Sequence, residues 1–349
     1  MKKPFLFSAW LGKIFTNVSS FMTNVFSSNE TENDDQPAGV TPRLALDGET
    51  PEEEEEERDF PAPRIKSNTK QDIRDKISGI NGGKYFAGLE PLLQEFIRLH
   101  LHRVQEKKIG IGQTKVGGRP DLPKQTAWPQ EENPENRSGL MAFIAQINLA
   151  EIAPFDTDNF LPKSGMLYFF YSVKAGAWGN HAEDRDKFKV IYFEGNTSDL
   201  ERREFPEALN AESRFKAAKV IFRREVGPPS ADHKFFENID EDDSEELTEI
   251  LFEDERINKM FGCADIIQDG MESLCLEVAD SIFAEHGAGE KSSDEEKNCW
   301  RLLLQIDSNE EGIENGMMWG DVGRLYFWIK EEHLRQRQFE KSWIILVCG

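Results

Sequence analysis

Residues 143–148, FIAQIN, alternate as a strand does, with Phe143, Ala145 and Ile147 on one face and Ile144, Gln146 and Asn148 on the other. A second run, LLLQID at 302–307, carries Gln305 at the same place. MLYFFYS (166–172), KVIYFEG (189–195), LYFWIK (325–330) and IILVCG (344–349) are rich in aromatic and β-branched residues and predict further strands, with LPKSG (161–165) as a turn. Elsewhere the apolar period is helical. EPLLQEFIRLHLHRVQEK (90–107) sets Leu92, Leu93, Phe96, Ile97 and Val104 at helical spacing, and Pro91 suits a first turn, so a helix is expected there. TKQDIRDKIS (69–78) predicts a short helix with Ile73 and Ile77 one turn apart. SEELTEILFEDERINKMF (244–261) predicts an amphipathic acidic helix capped by Asp243 or Ser244.

The strands recur in order. KVGGRPDL (115–122) resembles KMFGCADI (259–266), matching Lys115 with Lys259, Gly118 with Gly262 and Asp121 with Asp265. FIAQIN matches LLLQID, LYFFYS (167–172) matches LYFWIK, and VIYFEG (190–195) is echoed by IILVCG. The offset is 144 at Gly118, 159 at Gln146 and 158 at Leu167, so the second copy carries an insertion of about fifteen residues, compatible with an added loop. The charged stretch 281–298 falls there. The expected architecture is α+β and mainly antiparallel β, with two related helix-plus-β units packed as a pseudo-twofold pair. The first unit spans about 84–195 and the second about 244–349. In both, the glutamine either bonds backbone across the seam of the units or lines a groove.

Charge refines the picture. The formal net charge is −23 over 349 residues. Residues 30–59 hold 13 acids and 2 bases, and residues 231–256 hold 12 acids and 2 bases, so these two segments account for −21 of the total. The remainder is nearly neutral with two acidic appendages. Such a chain gains no counterion release from phosphates, so no nucleic-acid partner is expected. Residues 29–67, with PEEEEEERDF (51–60), bury too little apolar surface to offset ordering and read as a disordered acidic linker. Residues 1–28 form an amphipathic segment with Leu11, Ile14, Phe15, Val18, Met22 and Val25 on one helical face. Its apolar run is too short to span a bilayer, which leaves a peripheral membrane anchor, an organellar targeting segment or a helix docked on the domain. The folded domain is expected over 68–349.

Candidate chemistry is sparse. Cys263, Cys275, Cys299 and Cys348 form no CxxC pair, which suits buried thiols in a reducing, cytoplasmic compartment. His100 and His102, two apart on the expected helix, would point to different faces. GIGQTKVGGRPDLPKQTAWP (110–129) fails as a phosphate loop, because Gly117 is followed by Gly118 rather than Lys. Pro120, Pro123 and Pro129 forbid the helix that a dinucleotide fingerprint opens. In 238–250 the glycine of a calcium loop is replaced by Glu245. No GxSxG or HExxH is present. No metal, cofactor or catalytic residue is assigned.

KVGGRPDLP…WP, FIAQINL, LPKSGMLYFFY, the WG at Trp178–Gly179 and WGDVGRLYFWI (319–329) together resemble the YwqG-like domain family, a domain of unknown function, over about residues 84–349. That family is grouped with ribosome-maturation proteins of the programmed cell death protein two type. The resemblance implies a largely antiparallel fold of two related units. For those distant relatives it implies the binding and escorting of a newly made ribosomal protein; they carry zinc-binding cysteines that this chain lacks at matching spacing. Bacterial-type members lie near toxin and immunity systems, which implies another kind of protein binding. The resulting expectation is a non-enzymatic, chaperone-like module that recognises a basic or newly made client through a groove at the seam. Its candidate binding residues are Lys115, Arg119, Asp121, Trp128, Gln146, Trp178, Asp265, Gln305, Trp319 and Asp321. The competing expectation is a hydrolase or other enzyme at that seam, using Asp121, Asp265 or Asp321 as acid or base.

Overall fold

A computed structural model describes residues 68–132, 138–231, 233–252, 258–265, 271–283, 300–309 and 316–348. The amphipathic segment 1–28 and the acidic linker 29–67 lie outside the described residues. The first described element is helix α1, Lys70–Ile77, started by a capping box in which the Thr69 hydroxyl accepts the Asp72 N–H and Asp72 accepts the Thr69 N–H. Its buried Ile73 and Ile77 pack with Leu247 of helix α2, Glu241–Leu251, and with Phe86, Leu89 and Phe236 in a small separate core. The second acidic segment is therefore no appendage through this stretch. Its apolar positions are folded against α1, and the Asp243 carboxylate takes bonds from Asn81 and Tyr85. The cap of α2 is Asp240, whose carboxylate accepts the Asp242 N–H, rather than Asp243 or Ser244.

The body is a ten-stranded sheet flanked by a small ribbon. In chain order the strands are β1 (Gln94–Arg103), β2 (Lys115–Val116), β3 (Asp121–Pro123), β4 (Ala142–Asn148), β5 (Met166–Tyr171), β6 (Phe188–Phe193), β7 (Leu200–Arg202), β8 (Ala218–Gly227), β9 (Lys259–Met260), β10 (Trp300–Asp307), β11 (Arg324–Lys330) and β12 (Trp343–Val347). The large sheet runs β12-β11-β10-β9-β1-β8-β2-β4-β5-β6, and β3 pairs only with β7. Every pairing is antiparallel. The long β1–β8 ribbon is the middle of the sheet, and one arm of four strands extends from each side. The sheet curls until it is nearly a barrel. Its ends meet where the Trp343 indole N–H donates to the Gly179 carbonyl at 2.9 Å and Tyr192 packs against Phe339 at 5.3 Å. Inside, the arms share one core, with Phe169 and Phe327 rings 5.0 Å apart.

Three expected elements also take a different form in this fold. Residues 94–103 of the expected helix 90–107 are strand β1, so the first copy has no such helix. Ile97, Leu99 and Leu101 are buried at a spacing of two and outweigh the helical match, while Pro91 sits in a single 3₁₀ turn. His100 and His102 consequently share a face, where His100 lies 3.3 Å from the buried Glu225 carboxylate. The expected helix 244–261 ends at Leu251, and Lys259–Met260 form β9. The region of the fifteen extra residues contains helix α3, Met271–Phe283, where only a loop was expected. No helix among the described residues is long and apolar enough to cross a membrane.

Candidate functional site

The two strand glutamines face matching surroundings. β4 shifts register between Phe143 and Ala145, and β10 shifts between Leu302 and Leu304. Each shift is a bulge of one residue, and it reverses the facing expected from simple alternation. Phe143 stands opposite Phe170 and Gln146 opposite Tyr168, so Gln146 shares the face of Phe143 rather than that of Ile144. Gln305, opposite Tyr326, likewise shares the face of Leu302.

In the first arm Gln146 holds a loop to the sheet. Its carbonyl accepts the Asp121 N–H at 2.8 Å, and its amide donates to Gln113 O and Asp121 Oδ2, both at 2.7 Å. Tyr168 Oη donates to the Asp121 carbonyl at 2.7 Å. Lys115, directly opposite Gln146, brings Nζ within 3.4 Å of Asp121 Oδ1 and 3.3 Å of Glu106, and donates to the Arg119 carbonyl. Arg202 of β7 closes the group, with Nε 2.8 Å from Asp121 Oδ1. Burial pushes the Asp121 carboxyl up, but Arg202 and then Lys115 outweigh it and leave it below its ordinary value. Burial holds the Lys115 ammonium down against the pull of Asp121 and Glu106. Gly118 makes the loop's close approach possible. It sits at φ +73°, and a Cβ there would meet Ala217 Cβ at 2.6 Å.

The second arm repeats these contacts. Asp265 N–H donates to the Gln305 carbonyl at 3.1 Å, and the Gln305 amide donates to Asp265 Oδ2 at 2.8 Å. Tyr326 Oη donates to the Asp265 carbonyl at 2.7 Å, and Lys259, opposite Gln305, lies 2.8 Å from Asp265 Oδ2. Gly262, at φ +71°, holds the place of Gly118. Arg324 donates to the Asp265 carbonyl at 2.8 Å and pairs with Asp307 at 2.7 Å. Burial raises the Asp265 carboxyl, while Lys259 and Arg324 overcome it, so the net direction is again down.

Six of the ten candidate residues are thus gathered into two sets: Lys115, Arg119, Asp121 and Gln146 in one, Asp265 and Gln305 in the other. Both sets fasten loop to strand. The Asp121 and Asp265 carboxylates are held in ion pairs and hydrogen bonds, an arrangement that suits anchoring better than proton transfer to a substrate. The other four lie apart. Trp128 donates to the Met141 carbonyl at 2.9 Å and packs edge-on against Phe170. Trp178 is partly exposed, and its carbonyl accepts the Leu346 N–H. Trp319 is buried between Tyr171 and Phe215. Asp321 is exposed. Sequence reasoning overlooked Glu106, Arg202, Tyr168, Tyr326 and Arg324. The tyrosines had a signal, since both occupy the repeated LYF; Arg202 had none.

The open space lies elsewhere. A groove of about 1100 Å³ runs beside β6, between Val190, Ile191 and Tyr192 on one side and Arg337 and Glu340 on the other. Carboxylates of Glu131, Glu132, Glu183 and Asp186 also line it. Among the described residues no group of three or more His, Cys, Asp or Glu is placed to hold a metal ion.

No curated protein matches the chain. Residues 114–348 match a family described as Domain of unknown function (DUF1963), a span that runs from just before β2 through β12 and includes both glutamine sets. The chain belongs to that family.

Proposed function

We propose that this protein is a non-enzymatic, chaperone-like binding module for a basic or newly made protein client, working in the cytoplasm. The observation that carries the reading is the groove beside β6, a large open space in a body whose buried ionisable groups are mostly committed to one another. At about 1100 Å³ it slightly exceeds the usual range of small-molecule pockets, roughly 300–1000 Å³, and it is lined by charges of both signs rather than by an apolar wall. We further propose that the two arms are copies of one unit related by a pseudo-twofold. The recurrence of lysine, glycine, aspartate, glutamine and tyrosine in matching contacts supports this. The seam that matters for binding is then the second meeting of the arms, at β6 and the turn before β12, rather than the β1–β8 ribbon. The resemblance to YwqG-like proteins and their distant ribosome-maturation relatives supports a protein client. An immunity-type role would use the same surface with a toxin as client.

A pull-down from native lysate at low and moderate salt tests the function. A basic protein recovered in stoichiometric amount at low salt, and lost as salt rises, is the expected result. Recovery of no protein, together with a saturable thermal shift by a small molecule, would overturn it in favour of an enzyme.

A further inference from the structure

The two ends of the sheet are unequally covered. At β12 the Leu346 N–H is taken by the Trp178 carbonyl at 3.2 Å. At β6, among the described residues, no strand pairs on the side away from β5. An uncovered edge presents alternate N–H and C=O groups to whatever lies beside it, and natural proteins normally block such edges. Here the groove lies beside it instead. The charges of the groove are unevenly matched. Of its four cations, Lys187 is paired with Asp184 at 3.1 Å and Arg337 with Glu194 at 2.7 Å, both partners lying outside the lining, while Lys189 of β6 has no ion pair among the described residues. Arg185 donates to the Glu340 carbonyl. Glu183 and Asp186 likewise have no ion-pair partner among the described residues, and with Glu131, Glu132 and Glu340 they set five acids against four bases. The surplus is negative.

We propose that this groove receives an extended segment of a partner protein bearing lysine or arginine, and that the segment adds to β6 as a new strand. The proposal rests on the protein-binding reading above and names its mode and its ligand. Main-chain bonds to the β6 edge supply affinity whatever the sequence, while side chains at alternate positions reach Glu183, Asp186 and their neighbours and select for positive charge. The added strand lies along the part of the β6 edge that faces the groove, at residues 189–192. A free anion is a poor occupant, because the carboxylates repel it.

The test uses the full chain and a synthetic octapeptide of alternating lysine and valine. Saturable binding is expected, with alternate amides of residues 188–193 exchanging at least about tenfold more slowly in the complex. Methylating the backbone nitrogens along one edge of the peptide, which leaves the protein untouched, should abolish that protection. Glu183→Lys combined with Asp186→Lys changes only side chains that reach solvent. It should weaken binding by about tenfold or more at low salt and by less as salt rises. Binding of the peptide or of a captured client with unchanged exchange at 188–193 overturns strand addition and leaves the protein-binding reading standing. Equal binding of a glutamate–valine peptide overturns the charge selection. Failure to bind any peptide or client overturns both proposals together.

Discussion

Asp121 and Asp265 receive the same lysine, the same glutamine amide and the same tyrosine-held backbone, yet they differ in how they are shut off from water. The Asp121 side chain is 0 % exposed and lies under Arg202, which reaches it from the small β3–β7 ribbon. The Asp265 side chain is 18 % exposed, and its arginine, Arg324, comes from within the large sheet and grips the backbone carbonyl and Asp307 instead. The repeated contacts are therefore those that pin the loop to the bulged strand. The cover over them is supplied by each arm in its own way. Fastening the loop is the shared requirement, and burial depth is a local variable.

The largest effect should come from removing the aspartates. Asp121→Ala leaves Arg202 without its carboxylate and Lys115 with Glu106 alone, and should cost about 3–5 kcal/mol. Asp265→Ala, at a partly solvated site, should cost about 1–3 kcal/mol. Urea unfolding of the two variants measures this; a greater loss at Asp265 would reverse the comparison. Next come the amides. Gln146→Leu and Gln305→Leu should each lose about 1–3 kcal/mol, since each leaves a loop N–H unsatisfied. One variant destabilised and the other neutral would break the equivalence of the arms.

Acid sharpens the same contrast. Both carboxyls sit below the ordinary aspartate value of 3.8, despite burial, because of Arg202 and Lys115 in one arm and Lys259 and Arg324 in the other. Their stabilisation is complete above that value and is lost as pH falls through the folded-state values, because the unfolded chain takes up the protons first. Stability should therefore drop below about pH 4, and Asp121→Asn should flatten the drop. The smallest effect belongs to His333, in the turn between β11 and β12. Burial holds its pKa below 6.5, so the unfolded chain protonates first and stability should decline as pH falls through about 6.5. His333→Gln should remove that slope whatever it does to the overall level. The corresponding turn between β5 and β6 carries His181, which is exposed.

Much of the sheet was legible because its strands are short apolar runs bounded by turns, and because the repeat offered each of four strands twice. The strands β4, β5, β10 and β11 and their order followed directly, while their pairing is known only from the structure. The bulges at 144 and 303 were not legible: a one-residue shift leaves the apolar pattern intact and shows only in the pairing. β1 was misread because Leu92, Leu93, Phe96, Ile97 and Val104 match a helix while Ile97, Leu99 and Leu101 match a strand, and the partner that decides between them, β8, lies more than a hundred residues downstream. Of the candidate site, the lysine, aspartate and glutamine were found through the repeat, but their role as fasteners came from distances alone. The groove was invisible in the sequence, because it is bounded by segments that meet only when the sheet curls.

The placement of β1 also bears on how this chain comes off the ribosome. β1 is the middle strand of the sheet, yet its residue 103 first finds its partner at residue 218, and its other edge waits for Lys259 and Met260. At synthesis rates of about 5–20 residues per second, the strand stands without either neighbour for roughly 6–25 s after it is made. The family match begins at residue 114, beyond β1. A chain trimmed to that span would retain both arms, but β8 and β9 would each lose a neighbour at the centre of the sheet. Two bare edges, one on each arm, would then be left to seek a strand from another molecule.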